Sequence, residues 1–183
     1  MAKEGYDDLR RYRLDKAENN REATVLRAHS SVTASGNVQE QASKGSVYWS
    51  KIKWHMIQVG DVTKLERDEA APADLVLLNA TGQNDIAYIE TMALDGETNL
   101  KSKRATTSLS KSCDTSDAIN ECNAHFVVED PNLDLYNFEG KVTTPRDGQT
   151  APLTNNEIVY RGSVLRNTPE AIGMVIYLSL IHI

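Results

Sequence analysis

Asp74-Leu-Val-Leu-Leu78, Gly82-Gln-Asn-Asp85, Ile86-Ala-Tyr-Ile-Glu-Thr91 and Asp95-Gly96 follow one another along the chain, and their order decides the fold. The first is an apolar run of strand length with the look of a buried strand. The second reads as a turn and the third as the next strand. Asp95-Gly96 is a dipeptide favoured in tight hairpin turns, because glycine tolerates positive φ. Upstream, Ile52, Trp54 and Met56 alternate with Lys53 and His55, the two-residue period of a strand with one buried face. A turn at Gly60-Asp61 leads into Val62-Thr-Lys-Leu65, and charged residues with Pro72 then interrupt. Downstream, strand character returns at His125–Val128, Leu135–Phe138, Glu157–Tyr160, Ser163–Leu165 and Ala171–Tyr177. Short strands between frequent turn signals predict a mainly β fold, a sandwich or jelly-roll-like arrangement.

Two stretches break this pattern. Residues 28–46 are rich in Ser, Ala, Gln and Gly and read as a loop. Residues 105–123 are polar and Ser/Thr-rich, with one helical turn expected after Asp117. Ahead of the strands, Tyr6–Asn20 reads as a short charged helix, with Tyr6, Leu9 and Tyr12 as the apolar stripe that docks it on the β body. Asp7 and Asp8 precede Arg10, Arg11 and Arg13, the order a helix dipole favours.

The 183 residues include 20 Lys and Arg against 26 Asp and Glu, a net charge of −6. That balance argues against a nucleic-acid partner, whose phosphates call for excess positive charge. A chain of this length buries about 70% of its unfolded surface, enough for a sizeable core in one domain. Cys113 and Cys122 lie in polar sequence without a histidine pair, which argues against a disulfide scaffold or a zinc ribbon. His29, His55, His125 and His182 have no paired ligand spacing, so no metal site is expected. The N-terminal residues lack the apolar region of a signal peptide. The apolar run Ala171–Ile183 falls short of the ~20 residues that cross a bilayer, and this stretch of chain is expected to be soluble.

The densest polar group is Asp95-Gly96-Glu97-Thr98-Asn99. Its plain interpretation is a solvated hairpin tip. The functional alternative is an exposed carboxylate on a tight turn: Gly96 lets the backbone approach a partner, and Glu97 can accept a proton. Lys101, Lys103 and Arg104 read as a solvated strand edge blunted by charge, with contact to a neighbouring domain as the functional alternative. Asp61 and Asp74 are expected to satisfy backbone N–H groups rather than perform chemistry. Trp49 and Trp54 are expected to fill core or domain-interface space.

Asp95-Gly96-Glu97-Thr98, within Tyr88–Lys101, resembles the signature loop of the actuator domain in type IV P-type ATPases, the phospholipid flippases. Further blocks fit in the same order: Trp54-x-x-Ile57-x-Val59-Gly60-Asp61, Pro72–Leu78, Asp130-Pro131-Asn132, Leu135-Tyr136-x-Phe138-x-Gly140 and Arg161-Gly162-x-x-Leu165-Arg166-Asn167-Thr168. Asn19-Asn20-Arg21 resembles the stretch just after the family's second membrane helix, and the wording around Asp95 resembles fungal members. The resemblance covers residues 1–177, the loop between the second and third membrane helices. It implies a helical linker at 1–24 and an actuator β domain at 25–177, a distorted jelly roll or double-stranded β-helix. Residues 28–46 and 105–123 would be variable insertions, and 178–183 a tail that departs from the family.

In function, the resemblance implies that Glu97 directs water to an aspartyl phosphate on a separate phosphorylation domain. Asp95, Gly96 and Thr98 would set the loop's geometry. Mg2+ and ATP would bind to domains not represented in these residues. The implied partners are those phosphorylation and nucleotide-binding domains, a phospholipid moved through membrane helices, and an accessory transmembrane subunit. The implied location is the cytosolic face of a Golgi, endosomal or plasma membrane. Two other readings stand beside it. The actuator of a cation pump would carry threonine where Asp95 stands. A standalone β-sandwich binding module would use the acidic loop to hold a partner.

Overall fold

A computed structural model describes residues 2–28, 46–131, 137–145 and 148–178; the side chains of residues 2–6 and 9 lie outside that description. Helix α1 (Ala2–Asn19) leads into strands β1 (Glu22–Ala28), β2 (Val47–Lys53), β3 (Val62–Glu66), β4 (Asp74–Ala80) and β5 (Ile86–Glu90). A one-turn helix α2 (Met92–Asp95) precedes β6 (Lys101–Arg104), and two short helices follow, α3 (Thr107–Ser112) and α4 (Ser116–Glu121). The chain then forms β7 (His125–Val128), β8 (Gly140–Thr144), β9 (Gln149–Leu153), β10 (Ile158–Val159), β11 (Val164–Arg166) and β12 (Glu170–Tyr177). The strands assemble into one six-stranded sheet, ordered β10-β4-β12-β3-β1-β2, and two three-stranded sheets, β11-β5-β6 and β7-β8-β9. All pairings between named strands are antiparallel, and the mainly β class expected from the sequence is the one observed.

Strand β4 shows how the layers stack. Successive side chains of a strand point to opposite faces. Leu75 and Leu77 therefore enter one core, with Ala87 and Ile89 of β5 and Leu165 of β11. Val76 and Leu78 enter a second core, with Val142 of β8, Leu153 of β9, Leu109 of α3 and Ile119 of α4. Burial on both faces is why this strand reads as an unbroken apolar run rather than an alternation. Strands β10 and β12 divide the same way: Val159 and Val175 face the first core, Ile158 and Ile176 the second. The register of β12 on β4 shifts between Ile172 and Gly173, where a Cβ on Gly173 would lie 2.9 Å from that of Leu75. A residue with a side chain cannot make that approach unless β4 gives way.

Strands β2 and β3 flank β1 on either side, so residues 54–61 must cross β1 to connect them. Trp54 and Ile57 plug the first core beneath this crossover. The alternation read through Met56 is therefore only partly a strand. Ladder pairing stops at Lys53, opposite Glu22 where β1 begins, and Trp54–Met56 form a 3-10 turn that leaves Met56 exposed. Asp61 behaves as expected, accepting the Gln58 N–H at 2.9 Å, and it also pairs with Arg27.

Other expectations need correction. Asp95-Gly96 is not a two-residue hairpin turn, because β5 and β6 are joined through all of residues 91–100. Residues 105–123 hold two helices, and Leu109, Cys113 and Ile119 from them are buried in the second core. Strands β1, β8 and β9 were not legible in the sequence; β9 even contains Pro152, which its position at a sheet edge allows. The strand expected at Leu135–Phe138 falls largely outside the described residues, as do Asn132, Leu135 and Tyr136 of the matched blocks. Phe138 lies in the second core without strand structure.

Helix α1 is held at its C-terminal end, and by polar groups. His55 Nδ1 lies 3.1 Å from the Asn19 carbonyl oxygen, and Lys53 Nζ donates to Asn20 Oδ1 at 3.2 Å. The guanidinium groups of Arg21 and Arg161 both lie over the Trp54 ring, at 5.3 and 5.8 Å, and Arg161 reaches Glu18 at 4.0 Å. Tyr12 is 62% exposed and does not dock the helix. The side chains of Tyr6 and Leu9 lie outside the described residues.

Candidate functional site

The connection from β5 to β6 builds the acidic loop. Thr91 closes β5 and is buried, α2 makes one turn, and Gly96 stops it in the left-handed region at φ +74°. The Gly96 N–H donates back to the Met92 carbonyl oxygen at 3.1 Å. A Cβ would meet nothing within 4 Å there, so the requirement for glycine is conformational rather than steric. The loop then runs through Glu97, Thr98, Asn99 and Leu100, all exposed.

Asp95 is the anchor of this loop. Its side chain is 6% exposed. Both carboxylate oxygens accept from the Thr91 hydroxyl at 3.0 Å, Oδ1 accepts the Glu97 N–H at 3.0 Å, and Oδ2 accepts from Lys101 Nζ at 2.5 Å. The Lys101 hydrogen bond, then the Glu97 N–H, hold the Asp95 carboxyl down to about 2. In return, Asp95 pushes the Lys101 ammonium group up from its ordinary value. Glu97 is different: its side chain is 50% exposed, and Oε2 sits 3.1 Å from the same Lys101 Nζ. The loop thus presents one half-exposed carboxylate and buries the other. The Thr98 hydroxyl makes no hydrogen bond to any described residue, so the turn is held by Thr91 and Asp95 instead.

Beneath the loop, Lys103 overturns the expectation of a solvated edge. It is 5% exposed, and Nζ donates to the Asn155 carbonyl oxygen at 2.5 Å and to Asn155 Oδ1 at 3.1 Å. Its ammonium group also lies over the Tyr160 ring. Burial, then the positive charge of Lys101, bring its pKa down to about 8. Arg104 remains exposed, as expected. Lys101 and Lys103 were missed because β6 alternates only polar residues. The signal available was spacing: Lys101 stands four residues after Glu97, and Lys103 repeats its face at the strand period.

Asp74 also does what the sequence predicts, accepting the Arg161 N–H at 2.8 Å, and burial pushes its pKa up. Among the described residues, no three of His, Cys, Asp and Glu are placed to hold a metal. The position between Asp95 and Glu97, where a cation would sit, is taken by Lys101. No helix among the described residues is long and apolar enough to cross a membrane.

Fold and loop together define a class: an antiparallel β domain with one half-exposed carboxylate set on a buried mount. Comparison with known proteins makes this more particular. No family model matches the chain. Probable phospholipid-transporting ATPase DNF3 of Saccharomyces cerevisiae is 35% identical over 97% of this chain. Phospholipid-transporting ATPase 6 of Arabidopsis thaliana is 39% identical over 97%, and phospholipid-transporting ATPase FetA of Mus musculus 35% over 96%. The chain spans only 13–14% of the length of these relatives. It belongs, as a segment, to the phospholipid-transporting, type IV P-type ATPases.

Proposed function

We propose that this segment, chiefly residues 25–177, is the actuator domain of a phospholipid-translocating pump, with residues 1–24 as its helical linker. In this reading Glu97 is the base of the dephosphorylation step. The observation that carries it is the contrast within the loop: Asp95 is spent on internal hydrogen bonds, whereas Glu97 is held outward and half exposed. A water oxygen bonds to phosphorus, the bond from phosphorus to the aspartyl oxygen breaks, and the aspartate regains its electron pair. The water proton passes to Glu97, and inorganic phosphate leaves. A positioned base contributes about 10²–10⁴ in rate to such a step. A carboxylate is also repelled by a phosphoryl group. Mounting it on a domain that arrives only for hydrolysis avoids a standing repulsion.

The phosphorylated aspartate, ATP and Mg2+ belong in this reading to phosphorylation and nucleotide-binding domains outside these residues. The phospholipid path and an accessory transmembrane subunit are assigned to the membrane part, with this domain on the cytosolic face of a Golgi, endosomal or plasma membrane. In an intact pump carrying this domain, Glu97→Gln is expected to let the phosphoenzyme form and then persist, read as slowed loss of label from radiolabelled ATP. Turnover of the phosphoenzyme at the wild-type rate would remove Glu97 from the mechanism.

A further inference from the structure

We propose that Lys101 is the positioning residue for Glu97, clamping its carboxylate to the buried Asp95 so that it is presented in one orientation. This rests on the reading of Glu97 as the base and adds what aims it. Lys101 Nζ bridges both carboxylates, 2.5 Å from Asp95 Oδ2 and 3.1 Å from Glu97 Oε2. Its backbone is fixed as well, since Lys101 is the first residue of β6 and pairs with Ile89 of β5. Ile89 is fully buried. The clamp therefore transfers the rigidity of a core strand to a side chain on an exposed loop.

Asp95 completes it from two directions. It fixes the backbone of Glu97 through the N–H at 3.0 Å and the side chain of Glu97 through Lys101. Thr91, also buried, holds Asp95 in turn. A free glutamate side chain loses rotamer entropy when it is ordered for reaction; one already held has lost it beforehand. The ammonium group has a second effect. Two carboxylates stand on this loop, and Lys101 offsets one of their charges as the loop nears a phosphoryl group.

A double-mutant cycle on single-turnover dephosphorylation in the intact pump tests this, using Lys101→Met, Glu97→Gln and both together. Lys101→Met is expected to slow dephosphorylation about ten- to a hundredfold, the scale of a misaimed catalytic group, while phosphoenzyme still forms from ATP. Lys101→Arg keeps the bridging cation and is expected to recover most of the rate. Combined with Glu97→Gln, Lys101→Met is expected to add no further slowing, because its effect runs through Glu97. Should the methionine variant yield no phosphoenzyme, Lys101→Gln supplies the same comparison with a polar side chain. Dephosphorylation of Lys101→Met at the wild-type rate overturns the proposal, and so does an independent, multiplicative loss in the double variant. A wild-type rate in Glu97→Gln alone instead removes the base assignment on which the clamp depends.

Discussion

A lysine ammonium group buried beneath the loop is the least expected residue in the structure. Desolvation disfavours its charged form, which is why the Lys103 pKa falls to about 8 from the ordinary 10.5. Between those two values the unfolded chain binds more protons at this site than the folded chain. Stability therefore rises with pH across that window. Below pH 8 the folded protein bears the full cost of burying the charge, and above 10.5 that cost is gone. Relative to Lys103→Met, the wild-type chain is expected to gain stability as pH rises from 8 toward 10.5, measured as the difference in urea midpoints. A difference that stays flat with pH would mean that Lys103 is not buried as a cation. The same residue shows where sequence stops being legible. Lys-Ser-Lys-Arg has no apolar member to mark an inward face, so only the partners reveal which way each lysine points: Asp95, six residues back, for Lys101, and Asn155, 52 residues on, for Lys103.

At the scale of elements, legibility followed burial. β4, apolar on both faces, and β5, flanked by turn signals, were plain from their own residues. β1, β8 and β9 were not, because their polar and small residues take strand form from the partners they pair with rather than from an intrinsic pattern. The segment 105–123 is the most instructive case. It was read as a variable insertion, yet Leu109 is fully buried in the second core beside Val142 and Leu153. Leu109→Ala is expected to cost about 2–5 kcal/mol of stability, the range for a large-to-small change in a packed core. Chemical denaturation of the chain measures this directly, and a loss near zero would show the two short helices to be separable from the fold. The acidic loop itself was legible as a candidate, because Asp-Gly-Glu-Thr is distinctive. Its form as a one-turn helix with a left-handed glycine stop was not, since Asp-Gly serves tight turns equally well.

In the whole molecule, three antiparallel sheets share two apolar cores. These residues include no Asp-Lys-Thr-Gly-Thr phosphorylation motif, and none of the described helices spans a bilayer. Incubated with radiolabelled ATP, the chain by itself is expected to form no acid-stable, hydroxylamine-sensitive phosphate; recovery of such label would mean that it carries its own phosphate acceptor. The six-stranded sheet meanwhile feeds both cores, with Leu75 and Leu77 on one side and Val76 and Leu78 on the other. Strand β4 therefore packs against the layers on both of its faces at once. For a part proposed to swing as a unit, this sharing couples the two close-packed cores, so that a shift in one is felt in the other. A torque entering at Glu18 and Arg161 would then be delivered to Glu97 with little lost to internal slip.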